Sequence, residues 1–170
     1  MQYFEVLGLA PRLTLDLKDL EKRFYAKSRE LHPDRFARAP QAEQQRALEL
    51  SSLLNDAYRT LREPVARAEY VLKNSGFDIG EQRSKDVPAE LLEEVFELNM
   101  ALEEADRPQI EAAGVRFEKL RAEIDQELAT RFGQWDHAAE SGTLAQIRGL
   151  LNRRRYIENL LRDVNVHLSN

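Results

Sequence analysis

Residues 32–34 read His32-Pro33-Asp34 and stand between two long segments with helical spacing. Pro33 cannot continue the first of these helices, and it biases His32 away from helical dihedral angles. We therefore expect an acid and an imidazole in an exposed connection, where they form a surface for a protein partner. An ordinary helix-ending turn is the alternative. One specified tripeptide occurs by chance in about one per cent of chains of this length, so the surrounding sequence has to decide between the two.

Helical spacing surrounds this tripeptide in the front half of the chain. It predicts helices over 2–8, 14–31, 41–62 and 65–73. In the second of these, Thr14 or Asp16 is the N-cap candidate, and the predicted buried face is formed by Leu17, Leu20, Phe24 and Leu31. The two long helices on either side of the 32–40 loop predict an antiparallel hairpin.

The helical pattern lapses between Asn74 and Pro88, which predicts a linker. Within this linker, Phe77 and Ile79 are apolar residues that can pin it to one module. The back half then predicts three long helices, over 87–106, 108–132 and 143–168, with turn signals at Gly133 and Ser141-Gly142. Short connections between such helices favour an antiparallel three-helix bundle, and Trp135 is expected at the turn between two of them.

No β-type alternation is sustained, so the expected fold class is all-α, with two modules. The predicted boundaries are 1–75 for the first module, 76–86 for the linker and 87–170 for the bundle. Residues 1–75 contain 13 Lys/Arg and 11 Asp/Glu, and residues 76–170 contain 12 and 19, so the net charges are +2 and −7. Two such modules suggest different partners.

Composition excludes several classes of function. The chain has no cysteine, and His32, His137 and His167 lie far apart, so no metal site and no cofactor are expected. Nucleic acid is disfavoured because a basic footprint of one sign is missing. No catalytic set or phosphate-binding glycine loop is present, which argues against an enzyme. We expect a cytoplasmic protein, since neither a signal peptide nor a membrane-spanning run is seen.

The helix over 87–106 has two apolar stripes. The first, expected to face the bundle, consists of Val87, Leu91, Val95, Leu98 and Leu102. The second, turned by more than a quarter of the helical wheel, consists of Leu92, Phe96 and Met100, flanked by Glu93, Glu97 and Glu104. A helix with two stripes is buried on two sides or exposes one of them to a partner. Two interpretations of the second stripe therefore remain: it packs against the first module, or it is a docking patch for a partner.

Four segments in order resemble a J-domain: Tyr3-Phe4-Glu5-Val6-Leu7-Gly8-Leu9, Arg23-Phe24, Leu31-His32-Pro33-Asp34-Arg35, and Asn55-Asp56-Ala57-Tyr58-Arg59-Thr60-Leu61 with Pro64 and Arg67. The match continues through Arg67-Ala68-Glu69-Tyr70-Val71-Leu72 and Gly76-Phe77-Asp78, which are similar to iron–sulfur co-chaperones of the HscB type. An acidic helical back half and the lack of a Gly/Phe-rich segment agree with this resemblance. It implies an L-shaped arrangement, in which a J-domain is joined to a three-helix bundle.

The resemblance implies that the front module stimulates the ATPase of a seventy-kilodalton heat-shock chaperone of the HscA type. The implied contact residues are His32, Pro33, Asp34 and Arg35, joined by the basic residues Lys18, Lys22 and Arg29. Asp34 can form charge-assisted hydrogen bonds with a partner arginine, and the basic residues can steer an acidic surface into register. A solvated helix face is the alternative for the three basic residues.

The resemblance also implies that the back module binds an iron–sulfur cluster scaffold of the IscU type. The implied contact residues are Leu92, Phe96, Glu97, Met100, Glu104 and Tyr156. Tyr156 falls off the main apolar face of the last helix, and a surface tyrosine without a partner is its alternative. An adaptor for a different client, with no iron–sulfur role, is the alternative function.

Overall fold

The structure is a computed structural model that describes residues 1–77 and 89–169. Within these residues it is all-helical, which confirms the predicted fold class. Its helices are α1 (Gln2–Val6), α2 (Leu17–Glu30), α3 (Gln41–Leu61), α4 (Pro64–Asn74), α5 (Leu92–Glu103), α6 (Arg107–Ala138) and α7 (Ser141–Leu168), with short 3-10 helices at Pro33–Phe36 and Ala89–Leu91. None of the helices in the described part is both long and apolar enough to cross a membrane.

The chain divides into two compact units. The first unit consists of Met1–Phe77 together with Trp135–Ala138, and the second contains the remainder of the described chain. The boundaries proposed from sequence, at 75/76 and 86/87, stay a prediction. Ile79, Val87 and most of the predicted linker lie outside the described residues.

Helix α2 begins where the sequence predicts. Asp16 is its N-cap, and one carboxylate oxygen accepts hydrogen bonds from the backbone N–H groups of Lys18 (2.9 Å) and Asp19 (3.3 Å). Such a cap satisfies donors that the first helical turn leaves without partners. Of the two cap candidates, Asp16 is therefore the correct one.

Aromatic stacking joins the helices of the first unit. The rings of Phe24 on α2 and Tyr58 on α3 stack at 4.2 Å between centroids, and Tyr3 on α1 stacks on Tyr70 of α4 at 4.4 Å. The Tyr70 hydroxyl also accepts a hydrogen bond from the Tyr3 backbone N–H at 3.1 Å. Offset ring pairs of this kind add about 0.5–1.5 kcal/mol beyond the area they bury.

The prediction that Leu17 is buried is wrong. Leu20 on the same helix is 1% exposed, but Leu17 is 52% exposed. Leu17 is the first residue of α2 and lines a shallow surface depression with Arg62 and Glu63. Polar residues at the end of the hairpin therefore surround it, and helical spacing alone does not reveal this.

A buried guanidinium connects distant parts of the first unit. Arg67 is 4% exposed, and it donates hydrogen bonds to the carbonyl oxygens of Leu13 (2.8 Å) and Leu61 (2.6 Å). Asp136 accepts hydrogen bonds from the backbone N–H groups of Leu13 (2.6 Å) and Thr14 (2.8 Å). Burial lowers the pKa of Arg67, whereas the negative charge of Asp136 acts in the opposite direction.

The second unit contains antiparallel helices joined by tight turns. Ala105 and Ala139 have positive φ angles of 53° and 52°, so alanines occupy the left-handed positions of both turns. The predicted turn at Gly133 is wrong, because α6 continues to Ala138, and Trp135 is thus inside a helix. Gly133 is exposed, where a helix tolerates glycine at a modest cost.

Polar contacts and close packing hold α6 and α7 together. Arg154 on α7 donates to Asp125 on α6 at 2.6 Å, and Arg107 donates to the Leu168 carbonyl at 3.1 Å. At Gly114 a Cβ atom would lie 3.1 Å from Val164, so the absence of a side chain lets the two helices approach closely. The buried face of α7 includes Ile147, Ile157 and Val164.

Asp136→Ala should destabilise the first unit by about 2 kcal/mol, because it removes the acceptor for two backbone N–H groups and a charge that compensates Arg67. Trp135 is the only tryptophan of the chain and belongs to the same unit. Its fluorescence during urea unfolding is therefore the measurement. Asp163→Ala, an exposed helical aspartate of α7, is the matched control. Equal midpoints for the two variants would contradict this account of Asp136.

Candidate functional site: an exposed loop and an exposed apolar helix face

The connection between α2 and α3 has the exposed geometry expected of His32-Pro33-Asp34. His32 has extended backbone angles (φ −60°, ψ 132°), and Pro33 opens the 3-10 helix. The side chains of His32 and Asp34 are 60% and 91% exposed. Pro33 restricts its own φ angle and the conformation of His32, so little backbone freedom remains at this point.

Hydrogen bonds between neighbouring residues order the loop internally. The Asp34 backbone N–H donates to Nδ1 of His32 at 3.3 Å, and the same nitrogen lies 3.5 Å from the Asp34 carboxylate. The Arg35 backbone N–H donates to the His32 carbonyl at 3.0 Å, which closes the turn. The loop thus presents the Asp34 carboxylate to solvent from an ordered backbone.

The basic residues predicted to flank the loop are all exposed: Lys18, Lys22, Arg29 and Arg35. Among the described residues, Lys18 and Lys22 form no ion pair. A hydrogen bond from Lys27 lowers the pKa of the Glu30 carboxyl, so Glu30 is ionised and its charge is offset locally. Positive charge on this surface therefore remains available to an acidic partner.

The two stripes of α5 differ in exposure. On the first stripe, Leu98 of α5 is 1% exposed, and Leu91, at the end of the preceding 3-10 helix, is 4% exposed. On the second stripe, Leu92, Phe96 and Met100 are 54%, 66% and 43% exposed. Three large apolar side chains at a spacing of four residues form a continuous exposed face on the helix. We call these three residues the α5 patch. Its exposure is the arrangement that a docking surface requires.

Charged residues border the α5 patch. Glu97 and Glu104 are exposed, as the sequence predicts for a rim. Tyr156 lies on α7 and is half-buried, and burial raises the pKa of its hydroxyl. A phenol ring with an apolar body and a polar tip is suited to the edge of an interface.

Sequence reasoning missed Arg116 as part of this rim. Its guanidinium donates to the Glu97 carboxylate at 3.2 Å, and both side chains are about half exposed. The two residues are 19 positions apart on different helices, so no local spacing signal connects them. An exposed pair of this kind adds little stability, but it fixes the position of a charge beside the patch.

The two surfaces offer different chemical groups. No cluster of three or more His, Asp or Glu side chains that could hold a metal ion is present in residues 1–77 and 89–169. The loop offers one carboxylate and one imidazole in open solvent, and the α5 patch offers apolar area inside a charged rim. Both arrangements are typical of protein–protein contacts.

Comparison with known proteins gives two family matches and close structural relatives. Residues 2–70 match the DnaJ domain, and residues 87–165 match the HSCB C-terminal oligomerisation domain. Chaperone HscB from Vibrio cholerae is 26% identical, with a TM-score of 0.66 over 97% of this chain and 96% of the relative. Human co-chaperone protein HscB is 26% identical, with a TM-score of 0.73 over 96% of this chain and 80% of the relative.

A helical hairpin with an exposed His32-Pro33-Asp34 loop, followed by a separate helical unit, defines a J-domain co-chaperone. The match of the second unit to the HSCB C-terminal domain, together with both structural relatives, narrows this class to one family. The chain belongs to the HscB-type J-domain co-chaperones.

Replacing Leu92 and Phe96 together by Ala should change the free energy of unfolding by less than about 1 kcal/mol, because exposed side chains lose little burial. Leu98→Ala is the matched comparison on the same helix and should cost about 2–4 kcal/mol, since it opens a cavity. Chemical denaturation followed by circular dichroism measures both. A loss in the double variant as large as that of Leu98→Ala would mean that the α5 patch is structural.

Proposed function

We propose that this co-chaperone stimulates the ATPase of a heat-shock chaperone of the HscA type and delivers to it an iron–sulfur cluster scaffold of the IscU type. The observation that carries the proposal is the presence of two exposed features in one chain: the Asp34 carboxylate on the first unit and the α5 patch on the second. The protein contributes no chemistry of its own, and ATP hydrolysis takes place on the chaperone.

The chaperone contact is formed by His32, Pro33 and Asp34, with Arg35 beside them. Asp34 pairs with an arginine of the chaperone through charge-assisted hydrogen bonds, which are about twice as strong as neutral ones. Because Pro33 and the 3-10 helix already fix the loop, binding orders few additional groups. Lys18, Lys22 and Arg29 extend the contact along α2 by attracting an acidic surface.

The scaffold contact is formed by the α5 patch with its rim. Leu92, Phe96 and Met100 supply apolar area, and the flexible Met100 side chain adapts to the shape of the partner. Glu97 and Glu104 on the rim select for a basic or hydrogen-bond-donating surround on the scaffold. Tyr156 adds an aromatic contact from α7.

Simultaneous occupation of the two surfaces explains how delivery works. A scaffold bound at the α5 patch is tethered to a chaperone bound at the loop, and tethering raises its effective concentration at the chaperone. The co-chaperone therefore needs only moderate affinity for either partner.

Asp34→Asn should reduce stimulation of the HscA-type ATPase by about ten-fold or more, because a neutral amide cannot form the charge-assisted pair. The measurement is the steady-state ATPase rate of the chaperone against co-chaperone concentration. Asp163→Asn removes the same charge on α7 and should stimulate like the unaltered protein. Undiminished stimulation by Asp34→Asn would contradict the assignment of the loop.

Stimulation by co-chaperone and scaffold together should exceed the product of their separate effects, because one protein holds both partners. The excess should disappear in the Leu92→Ala/Phe96→Ala variant, while stimulation by the co-chaperone alone is retained. Val166→Ala, which truncates a 54% exposed valine of α7, is the control for loss of exposed apolar area. A combined effect equal to the product would instead favour an adaptor for a different client, with no iron–sulfur role.

A further inference from the structure

The imidazole of His32 is the N-cap of the 3-10 helix at Pro33–Phe36. Its Nδ1 accepts the hydrogen bond that the Asp34 backbone N–H donates at 3.3 Å. A ring nitrogen that accepts has no proton, so in this geometry the proton of the neutral ring is on Nε2. The side chain of His32 is thus engaged within the loop through the nitrogen nearer the backbone.

This hydrogen bond bears directly on the neighbouring carboxylate. The donor is the backbone N–H of Asp34 itself, and the Asp34 carboxylate lies 3.5 Å from the same Nδ1 atom. An unprotonated Nδ1 cannot donate to that carboxylate, which therefore keeps its accepting capacity for a partner. The 91% exposure of the Asp34 side chain agrees with this arrangement.

Asp34 would otherwise be weakly held. It is the second residue of a four-residue 3-10 helix, and its carboxylate makes no hydrogen bond among the described residues. The preceding residue, Pro33, has a restricted φ angle but no backbone N–H to donate a hydrogen bond. The cap from His32 accordingly acts together with the hydrogen bond from the Arg35 backbone N–H to the His32 carbonyl in setting the orientation of the Asp34 backbone.

We propose that His32 is a positioning residue: its Nδ1 holds the Asp34 backbone so that the carboxylate faces the chaperone, and its role does not depend on a contact through Nε2. The inference rests on the proposed function and assigns to His32 a task different from that of Asp34. It predicts that what His32 must supply is an acceptor at the position of Nδ1.

Two amide substitutions separate the nitrogens of the ring. In His32→Asn the side-chain oxygen is two bonds from Cβ, as Nδ1 is, whereas in His32→Gln it is three bonds away, as Nε2 is. His32→Asn should keep stimulation of the HscA-type ATPase within about three-fold, because Asn is among the best N-cap residues. His32→Gln should lose about five-fold or more, which is the effect expected for loss of one cap.

The full-length variants are compared at matched concentrations with Asp34→Asn as the reference for a lost carboxylate. Equal thermal unfolding of both His32 variants checks that any loss is local. A ranking with His32→Gln equal to or better than His32→Asn would overturn the inference, since it would place the essential contact at Nε2. Equal activity of both variants, or equal loss in both, would overturn it as well.

Hydrogen exchange of the Asp34 amide, followed by NMR, tests the cap without the chaperone. The unaltered protein and His32→Asn should exchange this amide more slowly than His32→Gln. Full stimulation by Asp34→Asn alongside that exchange pattern would refute the proposed function and leave the cap in place. The opposite exchange order would refute the cap, whatever Asp34→Asn does.

Discussion

The geometry of the first unit depends on the buried Arg67 guanidinium. It donates to the carbonyl oxygens of Leu13, in the segment before α2, and Leu61, at the end of α3. A buried guanidinium is costly to desolvate, and that cost is recovered only if its hydrogen bonds and opposite charges are in place. Asp136 supplies such a charge and binds the backbone next to the same carbonyl. The arrangement therefore joins four chain segments, namely the one before α2, the end of α3, α4 and the end of α6, and loss of Asp136 would leave the buried guanidinium with less compensating charge.

This anchor lies at one end of the α2–α3 hairpin, and the His32-Pro33-Asp34 loop lies at the other. Between them, the Phe24–Tyr58 stack and buried residues such as Leu20 and Leu54 hold the helices together. The 32–34 segment is exposed and contributes no side chain to the core. Packing in the core therefore does not determine these three residues. Their types can instead serve the conformation of the loop and the binding of a partner.

Local patterns in the sequence were sufficient for the helices but not for contacts between distant residues. Periodic apolar residues located every long helix of the described chain, and the capping signal of Asp16 and the two stripes of α5 are also local. The predicted turn at Gly133 is wrong because glycine often ends helices, whereas in this protein Ala105 and Ala139 occupy the left-handed positions of the turns. The charge interaction between Arg67 and Asp136 and the Arg116–Glu97 ion pair depend on tertiary placement, so no spacing rule could have found them. Leu17 is exposed for the same kind of reason: what surrounds it comes from the far end of α3.

The two proposed contact surfaces rely on different physical forces, and the proposed function uses this difference to hold two partners on one small protein. The proposed contacts of Asp34 and the basic residues are electrostatic, so they are directional and weaken as salt screens them. The α5 patch relies on burial of apolar area, which is less directional and insensitive to moderate salt. An exposed patch of that kind invites self-association, but the acidic rim and a net charge of −5 oppose it. Because each surface recognises a chemistry that the other lacks, a partner suited to one has little affinity for the other. Both can then be occupied together, which the proposed delivery requires.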